Sequence, residues 1–144
     1  MANKIGIIGA GAMGQGIAQV AVTQGEIVFI YDAKVEMSQK AIIEIRANLE
    51  KLISKGKFDS AKLESTLGNL ESVASIAELA KCDIVIEAAV ENLPIKRQIF
   101  EELESIVSDH CILASNTSSL SITSIASACK RPERVVGMHF FNPA

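Results

Sequence analysis

The sequence predicts an α/β fold, a doubly wound parallel sheet with helices on both of its faces. Two observations carry that expectation. Short apolar runs of strand length alternate along the chain with segments whose apolar residues recur at helical spacing. The first of those runs leads directly into Gly9-Ala10-Gly11-Ala12-Met13-Gly14, and a helical pattern and a second apolar run follow. Strands joined through helices run parallel, and right-handed crossovers bring a ligand crevice to the carboxyl ends of the strands. With 144 residues, 49% of them hydrophobic, the chain has the size of one domain and ample material for a core.

The elements follow in order. The first strand is Ile5-Gly6-Ile7-Ile8. In the helix after the glycines, Ile17, Ala18, Ala21 and Val22 share a face, and Gly25 marks the end. Ile27 to Tyr31 make the second strand, closed by Asp32. A long helix is expected from about residue 35 to 55, with Met37, Ala41, Ile45, Leu49 and Leu52 on its apolar side and Gly56 as its stop. A shorter helix follows over Ser60 to Leu67. This extra helical pair exceeds what a crossover needs, and additions of that kind often carry binding. A weak third strand is expected near Leu70 to Val73 and a strong fourth over Asp83 to Ala89. Pro94 suits the first turn of a helix ending near Val107. The fifth strand is Cys111 to Ala114, a helix runs from about Ser121 to Ala128, and Arg134 to Met138 is the sixth strand. The noteworthy polar stretches then fall on one rim: Gly9 to Gly14, Asp32, Ala88 to Asn92, Ser115 to Ser119, and His139 to Asn142.

The opening stretch has all the context that a dinucleotide fingerprint requires: a strand before, a helix after, and an acid at the end of the next strand. Gly9 permits the tight turn, Gly11 leaves room for a pyrophosphate against the backbone, and Gly14 lets the helix pack closely on the sheet. The N-terminus of that helix offers free amides and the positive end of its dipole to phosphate. Asp32 stands 21 residues after Gly11, where its carboxylate can accept both hydroxyls of the adenosine ribose. The same charge repels a 2′-phosphate, so NAD is expected over NADP; Lys34 nearby is the feature that argues the other way.

Other classes are disfavoured. A net charge of −3 offers nothing to nucleic acid or to an acidic membrane surface. No apolar run is long enough to span a bilayer, and no signal peptide precedes the first strand. The three cysteines, Cys82, Cys111 and Cys129, form no C-x-x-C pair; Cys82 and Cys111 introduce apolar runs and read as core thiols. No metal site is expected, and the setting reads as the reducing cytoplasm. His110 reads as a surface residue.

Three further stretches narrow the family: Glu87-Ala88-Ala89-Val90-Glu91-Asn92 with Lys96, Ser115-Asn116-Thr117-Ser118-Ser119-Leu120, and His139-Phe140-Phe141-Asn142-Pro143. Together with Gly9 to Gly14 they closely resemble the NAD-binding half of the 3-hydroxyacyl-CoA dehydrogenases, over essentially the whole chain. The resemblance implies a Rossmann-type domain of an oxidoreductase. Such an enzyme interconverts (3S)-3-hydroxyacyl-CoA and 3-oxoacyl-CoA by hydride transfer to or from NAD, in fatty-acid or butanoate metabolism. It implies His139 as general base, for which a neutral imidazole with a pKa near ~6.5 is suited. Ser118 is implied to hydrogen-bond the substrate oxygen, with Asn142 beside the histidine and the reacting carbon. Gly9, Ala10, Gly11, Ala12, Met13, Gly14, Asp32, Ala88, Glu91, Lys96, Asn116, Ser118 and Asn142 are implied as cofactor contacts. Lys55 aligns with a lysine that meets the CoA phosphates, and Asn48 replaces the serine common at its position.

Each residue has a plainer alternative. His139 can be a satisfied histidine at a strand end, Ser118 can cap the next helix, and Glu91 can be a helix-start carboxylate. Lys55 can be a solvated charge at a helix end. Alternative functions are a 3-hydroxyisobutyrate or 6-phosphogluconate type of dehydrogenase, which lacks the H-F-F-N-P stretch, and an NAD-binding module without catalysis. The family's histidine pairs with a glutamate later in the chain, and its mostly helical second domain completes the substrate cleft and forms a homodimer. Neither lies within these 144 residues. The expectation is therefore a cofactor domain that binds NAD and turns over acyl-CoA poorly or not at all.

Overall fold

The computed structural model describes residues 2–140. Its six strands are β1 (Lys4–Ile8), β2 (Ile27–Tyr31), β3 (Leu70–Val73), β4 (Ile84–Glu87), β5 (Ile112–Ser115) and β6 (Val135–Gly137). They form one sheet in the order β3-β2-β1-β4-β5-β6, with every adjacent pair parallel. The chain winds outward from β1 to β3, returns, and winds the other way from β4 to β6. The reversal lies between β1 and β4, and it opens a crevice at their carboxyl ends. The doubly wound Rossmann-type sheet expected from the sequence is the one observed.

Alternation along the strands assigns the helices to faces. Ile7, Val28, Ile30, Ile86 and Ala114 pack on α1 (Ala12–Thr23) and α2 (Val35–Ser54), through Ile17, Ala18, Ala41, Ile45 and Leu49. Their neighbours Ile8, Phe29, Val85 and Leu113 point the opposite way, onto α4 (Leu93–Ile106) and α5 (Ile122–Ala126), through Phe100, Leu103 and Ile125. The helical pair expected after β2 is present: α2 is followed by a 3₁₀ turn (Ser60–Lys62) and the short α3 (Leu63–Leu67). Arg46 of α2 holds Glu64 of α3 through two hydrogen bonds of 3.0 and 3.2 Å.

Several local details depart from the sequence expectations. A 3₁₀ helix over Ile76–Lys81 connects β3 to β4 and has no counterpart in the hydrophobic pattern. Its start is a capping box, with Ser75 and Glu78 satisfying each other's amides. The strand expected over Asp83 to Ala89 is confined to Ile84–Glu87. Asp83 is drawn off to the Lys4 amide, and Ala89 turns back to donate to the Glu87 carboxylate. The cap of α5 is Ser121, which accepts the Ser124 amide; Ser118 therefore does not cap that helix. Asn92 caps α4, and Pro94 sits in its first turn as expected. All three cysteines are buried and free, and desolvation lifts the Cys82 thiol to about 12.

Candidate active site

The glycine turn is a backbone device. Gly9 has φ of +104°, and a Cβ there would stand 2.6 Å from the Ala88 carbonyl oxygen. A Cβ on Gly14 would lie 1.8 Å from the Gly9 carbonyl oxygen, so α1 can cross β1 this closely only with glycine. Gly11 differs: a Cβ there meets nothing within 4 Å. Gly11 is also the N-cap of α1 and supplies no side-chain cap. The first amides of α1 therefore have no side-chain cap, and the space over Gly11 is open to the approach of a pyrophosphate. Asp32 braces the turn, its Oδ2 accepting the Ala10 amide and its Oδ1 the Lys34 amide, each at 2.9 Å. A cavity of about 500 Å³ opens in front of it, lined by Gly9, Gly11, Asp32, Met37, Val90 and Ile95 among others.

A second cavity, of about 340 Å³, lies on the other side of the turn. It brings together Met13, Ala88, Glu91, Lys96, Asn116, Ser118 and His139, which the sequence scatters over more than a hundred positions. Ala88 and Ala89 line both cavities, so the two adjoin at the end of β4. His139 Nδ1 is 3.4 Å from the Asn116 carbonyl oxygen, and the Phe140 amide donates to Asn116 Oδ1 at 2.7 Å. Asn116 thus ties the segment after β6 to the loop after β5. Asn142 lies outside the described residues.

Behind this cavity is a network of side chains. Lys96, 1% exposed, forms ion pairs with Glu87, itself fully buried, and with Glu91 at 3.1 Å. Both Glu87 oxygens are used: Ser115 donates to Oε1 at 2.6 Å, while the Ala89 amide and Lys96 donate to Oε2. Glu91 in turn accepts from Thr117 at 2.6 Å and from Ser119 at 2.7 Å. Ser118 sits between those two clamped residues. Burial works to raise the Glu91 carboxyl, but the hydrogen bonds from Thr117, Ser119 and Lys96 outweigh it and hold the group below the usual carboxylate range. Glu87, Thr117 and Ser119 received no role from sequence reasoning. An acid closing an apolar strand, with a lysine nine residues on in the next helix, was the available signal for Glu87.

The residues expected to meet CoA stand apart from this crevice. A groove of about 780 Å³ runs between α1 and α2, lined by Gln15, Gln19, Asn48, Lys57 and Lys62 among others. Asn48 donates to Gln19 at 3.3 Å. Lys55 caps the end of α2 and does not line the groove; Lys57 and Lys62 do.

Comparison with known proteins decides the family. The profile of the 3-hydroxyacyl-CoA dehydrogenase NAD binding domain matches residues 4–144. The chain belongs to that family. It is 46% identical over 140 residues to a probable 3-hydroxybutyryl-CoA dehydrogenase of Deinococcus radiodurans, covering 97% of this chain and 50% of that protein. It is 45% identical over 141 residues to a fatty acid oxidation complex subunit alpha of Psychrobacter cryohalolentis, covering 98% of this chain and 20% of that one. The crystal structure of a 3-hydroxybutyryl-CoA dehydrogenase from Escherichia coli K12 superposes with a TM-score of 0.96 at 44% identity, over 100% of this chain and 30% of the other. The chain therefore spans a fifth to a half of the length of these curated relatives. As a member of the 3-hydroxyacyl-CoA dehydrogenase family it is an NAD-binding domain, and the open approach to Gly11 with an uncapped α1 fits that cofactor. Among the described residues no helix is long and apolar enough to cross a membrane.

Proposed function

We propose that the chain is the cofactor half of an enzyme that interconverts (3S)-3-hydroxyacyl-CoA and 3-oxoacyl-CoA. The observation that carries this reading is an adjacency: the Asp32 cavity and the His139 cavity meet at Ala88 and Ala89. On this reading the adenosine lies against Asp32, the pyrophosphate meets the first turn of α1, and the nicotinamide enters beside Met13, Glu91 and Ser118. Bound NAD supplies a hydride acceptor in the oxidative direction. His139 accepts the proton of the substrate 3-hydroxyl as the C3 hydrogen departs with its electron pair. The Ser118 hydroxyl donates to the substrate oxygen. Asn116 holds His139 near that oxygen through its carbonyl oxygen, beside the ring Nδ1, and through its Oδ1, which accepts the Phe140 amide. Met13 and Phe140, beside the same cavity, limit water at the reacting carbon.

The CoA tail is assigned to the groove between α1 and α2. Lys57 and Lys62 offer charge for its phosphates and Asn48 a hydrogen bond, while Lys55, at the C-cap of α2, does not line the groove. Relatives two to five times longer are in keeping with an acyl pocket and a dimer contact made by residues beyond these 144. The three buried free thiols favour a reducing, cytoplasmic setting. The test is His139→Gln in the catalytically complete polypeptide. Turnover of 3-hydroxybutyryl-CoA should fall ~10²–10⁴-fold while NADH affinity stays within about twofold. Undiminished turnover overturns the assignment of the base.

A further inference from the structure

We propose that Glu87 is a positioning residue whose charge, set against Lys96 and Glu91, tunes how strongly the cavity beside His139 prefers the cationic ring of NAD+ over the neutral ring of NADH. The inference rests on reading that cavity as the nicotinamide site. Lys96 and Glu91 line the cavity; Glu87 lines neither cavity and lies fully buried behind them. Its oxygens are satisfied by Ser115, the Ala89 amide and Lys96, so it has no hydrogen bond to offer a ligand. What it does offer is charge. One lysine between two carboxylates leaves the cluster at −1 next to a cavity whose other walls include Met13, Ala88, Ala89 and Phe140. The two redox forms of the cofactor differ by one positive charge on the ring. In a partly apolar pocket that difference is weighed against the cluster charge far more strongly than in water.

This makes a charge ladder. Lys96→Gln takes the cluster to −2, the native chain stands at −1, and Glu87→Gln takes it to 0. The double variant Glu87→Gln with Lys96→Gln returns to −1. The ratio Kd(NADH)/Kd(NAD+), measured by calorimetry on the 144-residue chain, should fall about 3- to 10-fold in Glu87→Gln and rise comparably in Lys96→Gln. The double variant should return to within about twofold of native. ADP-ribose, which lacks the ring, should bind all four chains alike.

Equal losses of NAD+ and NADH affinity in Glu87→Gln would reduce Glu87 to a structural part and overturn the proposal. So would a ladder that moves ADP-ribose as much as NAD+. If Glu87→Gln fails to fold, Glu91→Gln decides, because it removes one negative charge from the more exposed side of the cluster, and a ratio that does not fall contradicts the charge argument. Ser118→Trp separates the underlying reading from the proposal. Filling the cavity should weaken NADH and spare ADP-ribose; if it spares both, the nicotinamide lies elsewhere.

Discussion

At the Asp32 end of the crevice the chain presents backbone; at the His139 end it presents side chains. The first end is a turn whose shape follows from Gly9 and Gly14, each with a carbonyl where a Cβ would go. The groups it offers are main-chain amides, and Asp32, just past the end of β2, accepts the Ala10 amide of the turn. The second end depends on Glu87, Lys96, Glu91, Ser115, Thr117 and Ser119 pairing across β4, α4 and the loop after β5. A backbone site tolerates little change at its few glycines. A side-chain site can be tuned by single substitutions and by pH.

The largest effect that would break this contrast is at the glycines. Gly14→Ala forces a methyl to 1.8 Å from a carbonyl oxygen that cannot move without moving β1. It should destabilise the domain by about 3 kcal/mol or more, read by denaturant unfolding. Gly11→Ala, with open space around it, should change stability by less than about 0.5 kcal/mol yet weaken NAD binding markedly. If the two behave alike, the turn is not what distinguishes this end.

Asp32 comes next. Replacing it by Ala leaves the Ala10 and Lys34 amides without their acceptor and removes the partner proposed for the ribose. NAD affinity should fall by about 1.5–3 kcal/mol for each charge-assisted bond lost, less where water substitutes. The preference for NAD over NADP should narrow at the same time. Calorimetric titration of both cofactors checks this, and an unchanged preference removes Asp32 from the ribose.

At the other end the expected effects are smaller and depend on pH. The Glu91 carboxyl is held below its ordinary range in the folded chain. Its contribution to stability is thus complete above the unfolded carboxyl value and disappears as pH falls through the lower folded value. Glu91→Gln should flatten the acid limb of the stability curve, whereas native chain should lose stability there. Thr117→Val, which removes the bond to Glu91 and the one to the Leu120 amide, should cost about 1 kcal/mol at neutral pH. The smallest effect belongs to Arg46→Gln: its exposed pair with Glu64 is remote from the crevice, and NAD affinity should not change.

The same contrast governs what could be read from the sequence. Short, mostly apolar strands and helices with a 3.6-residue period leave plain signatures, so β1, β2, β4, β5, β6, α1, α2 and α4 were legible, and the half-polar β3 only weakly. So was the glycine turn, because its residue types are dictated by backbone geometry. The 3₁₀ helix over Ile76–Lys81 has no 3.6-residue stripe, and only the Ser75–Glu78 pair hinted at it. The partners of Glu91 were not legible, since Thr117 and Ser119 reach it only when β4 and β5 lie side by side. His139, Ser118, Asn116, Glu91 and Lys96 were singled out through family resemblance, and the structure brings those five to one cavity. Lys55 is the C-cap of α2, and the groove between α1 and α2 is lined instead by Lys57 and Lys62, which lie in the turn beyond the helix where no periodic pattern marks them.

The claim that one ligand bridges the backbone end and the side-chain end can be tested directly by following amide resonances of the 144-residue chain during titration with NAD+. The account predicts that Gly11, Ala12, Met13 and Lys34 shift together with Asn116, Ser118 and His139, all saturating at one ligand concentration. Shifts confined to the Asp32 side, or a separate and weaker saturation at His139, would contradict it.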